Sequence, residues 1–171
     1  MIEDSTDAAS AAGERETLMA FLDHYRTTLA RKADGLTEEQ ARSATCPPSD
    51  LTILGLVRHL ADVERDWAHR RFAGRADIEP LFHLSGHPDG DIDGDFHPPP
   101  EALLADAIDA LRREIAAADV VYAAAELDAV ERSPAAKYSL RWILIHLVEE
   151  YCRHCGHADL IRQAIDGASA D

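Results

Sequence analysis

The stretch SLRWILIHLVEEYCRHCGHADLIRQAIDG, from Ser139 to Gly167, decides how this chain folds. Ser139 is a residue type that caps a helix start, and Gly167 is one that stops a helix. No proline lies between them. Leu140, Ile143, Leu144, Leu147, Tyr151 and Ala158 recur at helical spacing, so the segment predicts a helix over about 139–165. With His146 set at zero and about 100° per residue, these apolar residues occupy an arc of roughly 60° to 160°. Glu150 falls at about 40° and His154 at about 80°, both toward the interior. They stand four residues apart and therefore share one face.

An inward glutamate needs a positive partner, because desolvating an unpaired carboxylate costs several kcal/mol. A cation chelated by Glu150 and His154 supplies one. His157 and His146, at about 20° and 0°, border the same arc and read as supporting groups. Glu149 faces solvent. Cys152 and Cys155 imitate a C-x-x-C motif but fall at about 240° and 180°, away from Glu150 and His154. They read as small packing residues rather than a redox pair, since no strand precedes this helix.

The remaining chain extends the helical pattern. Leu18, Phe21, Leu22, Tyr25 and Leu29 predict a helix from Glu14 to Asp34, stopped by Gly35. TEEQ, from Thr37, is a capping-box signature for a short helix. CPPSD, Cys46 to Asp50, reads as a loop. Ile53, Leu56, Leu60, Val63 and Trp67 predict a long helix over about 51–74. A loop rich in Gly, Pro, Asp and His fills 75–100, and a further helix is expected from about Pro99 to Ala125. The expected fold is all-α: one four-helix domain over 14–167, a disordered tail over 1–13, and a long loop between helices two and three.

The bulk numbers agree and exclude several functions. A chain of 171 residues suits one domain. Its net charge of −15 makes nucleic acid a poor partner. The longest apolar run is too short for a bilayer, and the acidic N-terminus lacks a signal-peptide pattern, so a cytoplasmic location is expected. Three cysteines do not suggest a disulfide framework.

A third metal ligand must come from another helix. His59 lies on the flank of the second helix's apolar stripe. On spacing alone, such a histidine reads first as a hydrogen-bonded core residue. As a ligand it would complete two histidines and one carboxylate, a set that suits catalytic zinc and also non-haem iron. Asp62 and Asp66, three and seven residues on, are candidates to orient it, against the plainer reading of a solvated face. The loop carries HPDGDIDGDFH, whose alternating Asp89, Asp91, Asp93 and Asp95 imitate a calcium loop. Its twelfth place is Pro100 rather than a glutamate, so a lid beside the metal site is the better reading. His83, His87, His97, Arg153 and Arg162 read as surface groups, while Trp67, Trp142 and Tyr151 read as core.

Three segments carry a family resemblance: GERETLMAFLDHYRTTLARKADGLTEEQAR, LTILGLVRHLADVERDWAHRRFAG and SLRWILIHLVEEYCRHCGHADLIRQAIDG. They resemble the DinB-like superfamily of metal-binding four-helix bundles. The nearest branch is that of mycothiol-dependent maleylpyruvate isomerase and thiol S-transferases. Most of the superfamily uses a histidine of helix two and an H-x3-H pair on the last helix. Here Glu150 replaces the first of that pair, as in the isomerase-like branch. The resemblance implies a metal held by His59, Glu150 and His154, zinc by preference, with nickel, manganese or iron as alternatives. It also implies a low-molecular-weight thiol such as mycothiol or bacillithiol as cosubstrate. The metal would lower the thiol pKa, and the thiolate would attack a small electrophile. Metal-assisted hydrolysis and a non-catalytic metal-binding stress-response role are the alternatives. Bundles of this type often pair, so a homodimer is an expected assembly.

Overall fold

The computed structural model describes residues 6, 11–82 and 91–168. Most of the expected disordered tail therefore lies outside the described residues, as do His83, His87 and Asp89. Four long helices form the bundle: α1 (Glu14–Ala33), α3 (Ile53–Arg65), α4 (Leu104–Ala123) and α5 (Leu140–Asp166). The short α2 (Glu38–Ala41) lies between the first two. Among the described residues there is no strand, only an isolated bridge between Val130 and Ser139. No described helix is long and apolar enough to cross a membrane.

Local chemistry sets the ends. Ser139 accepts a hydrogen bond from the Trp142 N–H, and Gly167 takes φ 76°, a left-handed conformation that glycine adopts without strain. Thr37 and Gln40 form the expected reciprocal capping box. Thr52 caps α3 by accepting from the Gly55 N–H.

Two boundaries differ from the sequence reading. Helix α4 begins at Leu104, not Pro99. The Glu38 carboxylate accepts the Leu104 N–H and so caps it from outside, while the carbonyls of Pro99 and Pro100 receive the Arg42 guanidinium. The second helix stays α-helical only to Arg65 and continues over Asp66–Phe72 as a π-helical segment. Such segments are rare and concentrate at functional sites.

Helix α1 packs chiefly on α5 and α3 on α4, with α3–α5 contacts closing the bundle. Leu22, Leu29, Leu56, Leu60, Leu144, Leu147 and Tyr151 are fully enclosed. A polar network is buried among them. Glu64, with no exposed surface, accepts two hydrogen bonds from Arg26, at 2.7 and 2.9 Å, and a third from the Tyr151 hydroxyl at 2.9 Å. Arg26 also reaches Asp23 and Asp119. This network ties α1, α3, α4 and α5 together. Tyr151 is core, as expected, but Trp142 is 41% exposed rather than packed inside. Arg162 caps the end of α1 through the carbonyls of Lys32 and Asp34 instead of standing free.

Removing Glu64 would leave the buried Arg26 with only the more exposed Asp23 and Asp119 as partners and strip the fork of its enclosed acceptor. Glu64→Ala should therefore destabilise the fold by about 3–5 kcal/mol in urea unfolding. A loss below about 1 kcal/mol would mean Arg26 finds other compensation.

Candidate metal centre

Three side chains from two helices converge within the bundle. His59 comes from α3, while Glu150 and His154 come from α5; one ligand atom from each lies within 4.8 Å of the others. The rings of His59 and His154 meet edge to face at 4.7 Å. His154 Nε2 stands 3.5 Å from Glu150 Oε2. Two ligands of a tetrahedral zinc with bonds of ~2.0–2.1 Å stand about 3.3 Å apart, so this pair is spaced as chelating atoms are.

One donor is held neutral by its surroundings. Burial, reinforced by His59, His157 and Arg153, pulls the His154 pKa down to about 3. Its imidazole is therefore neutral, and its lone pair is available, over the whole physiological range. His157 Nδ1 lies 3.3 Å from His154 Nδ1, a contact that leaves Nε2 to face Glu150. Glu150 is largely enclosed; the cation on its outer side is Arg153, at 3.2 Å. His146 approaches Glu150 at 3.7 Å and hydrogen-bonds Glu149. The donor set, two imidazole nitrogens and one carboxylate oxygen, fits a divalent cation of the zinc or iron type.

The residue orienting His59 comes from the long connection. Asp95 Oδ2 lies 2.7 Å from His59 Nδ1, which leaves Nε2 as the nitrogen able to ligate. Asp62 and Asp66, the expected orienting carboxylates, are engaged elsewhere. Asp62 accepts the backbone N–H groups of Leu81 and Phe82, and Asp66 holds Arg70 and Arg71. Burial works against the charge on Asp95. The His59 contact and the Phe96 N–H outweigh it and keep the carboxyl below its ordinary range.

One turn and a half of α3 grips this loop. Arg58 donates to the carbonyls of Gly94 and Asp95, and Phe96 stacks on the His59 ring at 4.3 Å. Gly55 permits the close approach, since a Cβ there would stand 2.7 Å from the Phe96 carbonyl oxygen. His97 pins the loop further, bonding Asp91 at 2.6 Å and meeting Asp50 at 3.5 Å. Asp91 and Asp95 thus serve different partners and do not converge as calcium ligands would.

The cysteines lie apart from this centre. Cys152 is exposed, whereas Cys155 is buried and donates to the Tyr25 carbonyl. Burial, then Asp159 and Cys152, push the Cys155 thiol up to about 12, so it stays protonated and unreactive.

With this geometry established, comparison with known families returns a match over residues 17–167 to a family described as mycothiol-S-transferase. The chain belongs to the mycothiol-S-transferase family. The family's name refers to a thiol, and among the described residues the grouping around His59 holds three protein donors and no fourth. No curated protein matches the chain.

Asp95→Ala should weaken zinc binding about 10–100-fold in a chelator competition, as loss of an orienting partner does. Gly55→Ala, which touches no donor atom, should weaken it in the same direction by pushing Phe96 and Asp95 away. Unchanged affinity in both would show that the loop has no hold on His59. A second expectation follows from His154. Its folded pKa lies below the ordinary value of 6.5, so the unfolded chain takes up a proton that the folded chain refuses. Stability of metal-free protein should therefore fall as pH drops through about 6.5 toward 5, and His154→Gln should flatten that slope. An unaltered slope would contradict the burial argument.

Proposed function

We propose that this protein joins a low-molecular-weight thiol, mycothiol by family, to a small electrophile at the His59–Glu150–His154 centre. The observation that carries the reading is the convergence of three complementary donors within 4.8 Å of one another, one of them a largely enclosed carboxylate, with His59 also lining an adjoining cleft. Zinc is the preferred ion on donor chemistry; when bound it would supply Lewis acidity that favours the thiolate form of a nearby thiol at neutral pH.

The chain's own residues do the rest. Asp95 holds His59 in one orientation and tautomer. Burial keeps His154 unprotonated. Trp67, Trp142 and His146 pack ring against ring beside the centre and form an apolar wall. Trp67 also lines the neighbouring cleft, so this ring cluster forms one of its sides. In an addition, the sulfur forms a bond to the electrophilic carbon, the displaced π pair moves to the neighbouring carbon, and that carbon takes a proton from water. In a substitution, the leaving group departs with its bonding pair. The thiol proton passes to solvent through the cleft in either case.

Zinc-loaded protein should accelerate conjugation of mycothiol with a generic electrophile such as monochlorobimane. His59→Ala should reduce that rate about 100-fold or more, the scale expected when a catalytic centre is dismantled. Equal rates for the two proteins would overturn the assignment.

A further inference from the structure

The π-helical segment arranges charge beside the centre in a way the metal reading does not use. Arg70 and Arg71 follow Asp66 by four and five residues, positions that diverge on an α-helix. Here both converge on it: Arg70 Nη1 donates to Asp66 Oδ1 at 2.9 Å, and Arg71 Nε donates to Oδ2 at 2.7 Å. Two guanidinium groups therefore share one carboxylate. The Arg71 guanidinium also lies 4.5 Å over the Trp67 ring. All four residues line a cleft of about 300 Å³ whose other end is formed by His59 and Asp95.

The hydrogen-bonding capacity left in this cleft is one-sided. Asp95 has both oxygens engaged, by His59 and by the Phe96 N–H, and Asp62 accepts two backbone N–H groups. The arginines retain donors. Arg70 Nε is enclosed and has no hydrogen-bond partner among the described residues. Enclosed, unmatched donors mark a place where an acceptor is missing. Two forked, delocalised cations on one wall suit a planar carboxylate.

We propose that Arg70 and Arg71 form a carboxylate anchor at the far end of the cleft from His59. It holds the charged end of an extended small molecule whose reactive end lies at the metal centre. His59 and Asp66 are separated by roughly 10 Å along the helix, at 1.5 Å per residue, which sets the length of that molecule. The Trp67 ring, which lines the same cleft, favours an unsaturated or otherwise apolar middle. The position of the reactive end rests on the proposed function; the anchor itself does not. The carboxylate belongs either to the electrophile or to the thiol.

Calorimetric titration of the zinc-loaded protein with single probes tests this. The electrophile pair is 4-phenyl-3-buten-2-one and its para-carboxylate. The thiol pair is benzyl mercaptan and its para-carboxylate. One acid should bind about tenfold or more tightly than its neutral partner, the scale of charge-assisted hydrogen bonds. The pair that shows the preference identifies which substrate carries the carboxylate. In the double variant R70Q/R71Q the preference should collapse, and in the double lysine variant, which keeps the charge but loses the fork, part of it should remain. If the double glutamine variant does not fold, R71Q alone, at the more exposed position, should lower the preference. No acid preference in either pair, or one that survives the glutamine substitutions, overturns the anchor. Binding is read without turnover, so the two readings fail separately. Acid preference without thiol transfer contradicts the proposed function alone, and transfer without acid preference contradicts the anchor alone.

Discussion

A carboxylate taken out of water must meet positive charge or hydrogen-bond donors, and Glu64 and Glu150 answer that demand differently. Glu64 is fully buried and receives a forked Arg26 and a tyrosine hydroxyl, so its demand is met by the protein itself. Glu150 is only partly enclosed, and its inner side faces two imidazoles, one of which burial keeps neutral. Among the described residues, Arg153 on the outer side is the permanent cation that balances it. The first arrangement fastens helices together. The second leaves a set of lone pairs pointing at one volume, which is the physical basis of a cation site.

The surrounding structure is arranged to hold that volume open and rigid. Helix α5 presents Trp142, His146, Glu150 and His154 at intervals of four, so a stack of rings runs down one face onto the donors. Helix α3 contributes both His59 and the grip on the connection that orients it, through Gly55, Arg58 and Asp62 on the same side. Its π-helical continuation then turns Trp67, Arg70 and Arg71 toward the same cleft. A donor set on rigid helices, steadied by a loop carboxylate, meets the requirement that ligand positions be fixed before the ion arrives.

Much of this was legible in the sequence because helices repeat. The period of α5 placed Glu150 and His154 inward and turned the cysteines away, and the family resemblance supplied His59, which periodicity alone left ambiguous. Asp95 was not legible. It stands thirty-six residues from His59 in a loop, where no period relates the two, and Asp62 and Asp66 were the natural candidates by spacing. Glu64 was hidden for a related reason: a helical wheel shows that a glutamate faces inward but not that Arg26 and Tyr151 meet it there. The start of α4 was misplaced because its cap, Glu38, belongs to a distant helix. Trp142 looked like core because apolar neighbours surround it in sequence, yet its outer edge stays in solvent as part of the ring stack.

The central claim is that His59, Glu150 and His154 bind one metal ion and that the two cysteines of α5 do not. X-ray absorption at the zinc edge, on thiol-free protein purified with zinc, tests it most directly. The account predicts one zinc per chain with a shell of nitrogen and oxygen only, at ~2.0–2.2 Å. Sulfur scattering at ~2.3 Å would place the ion on cysteine and contradict the account.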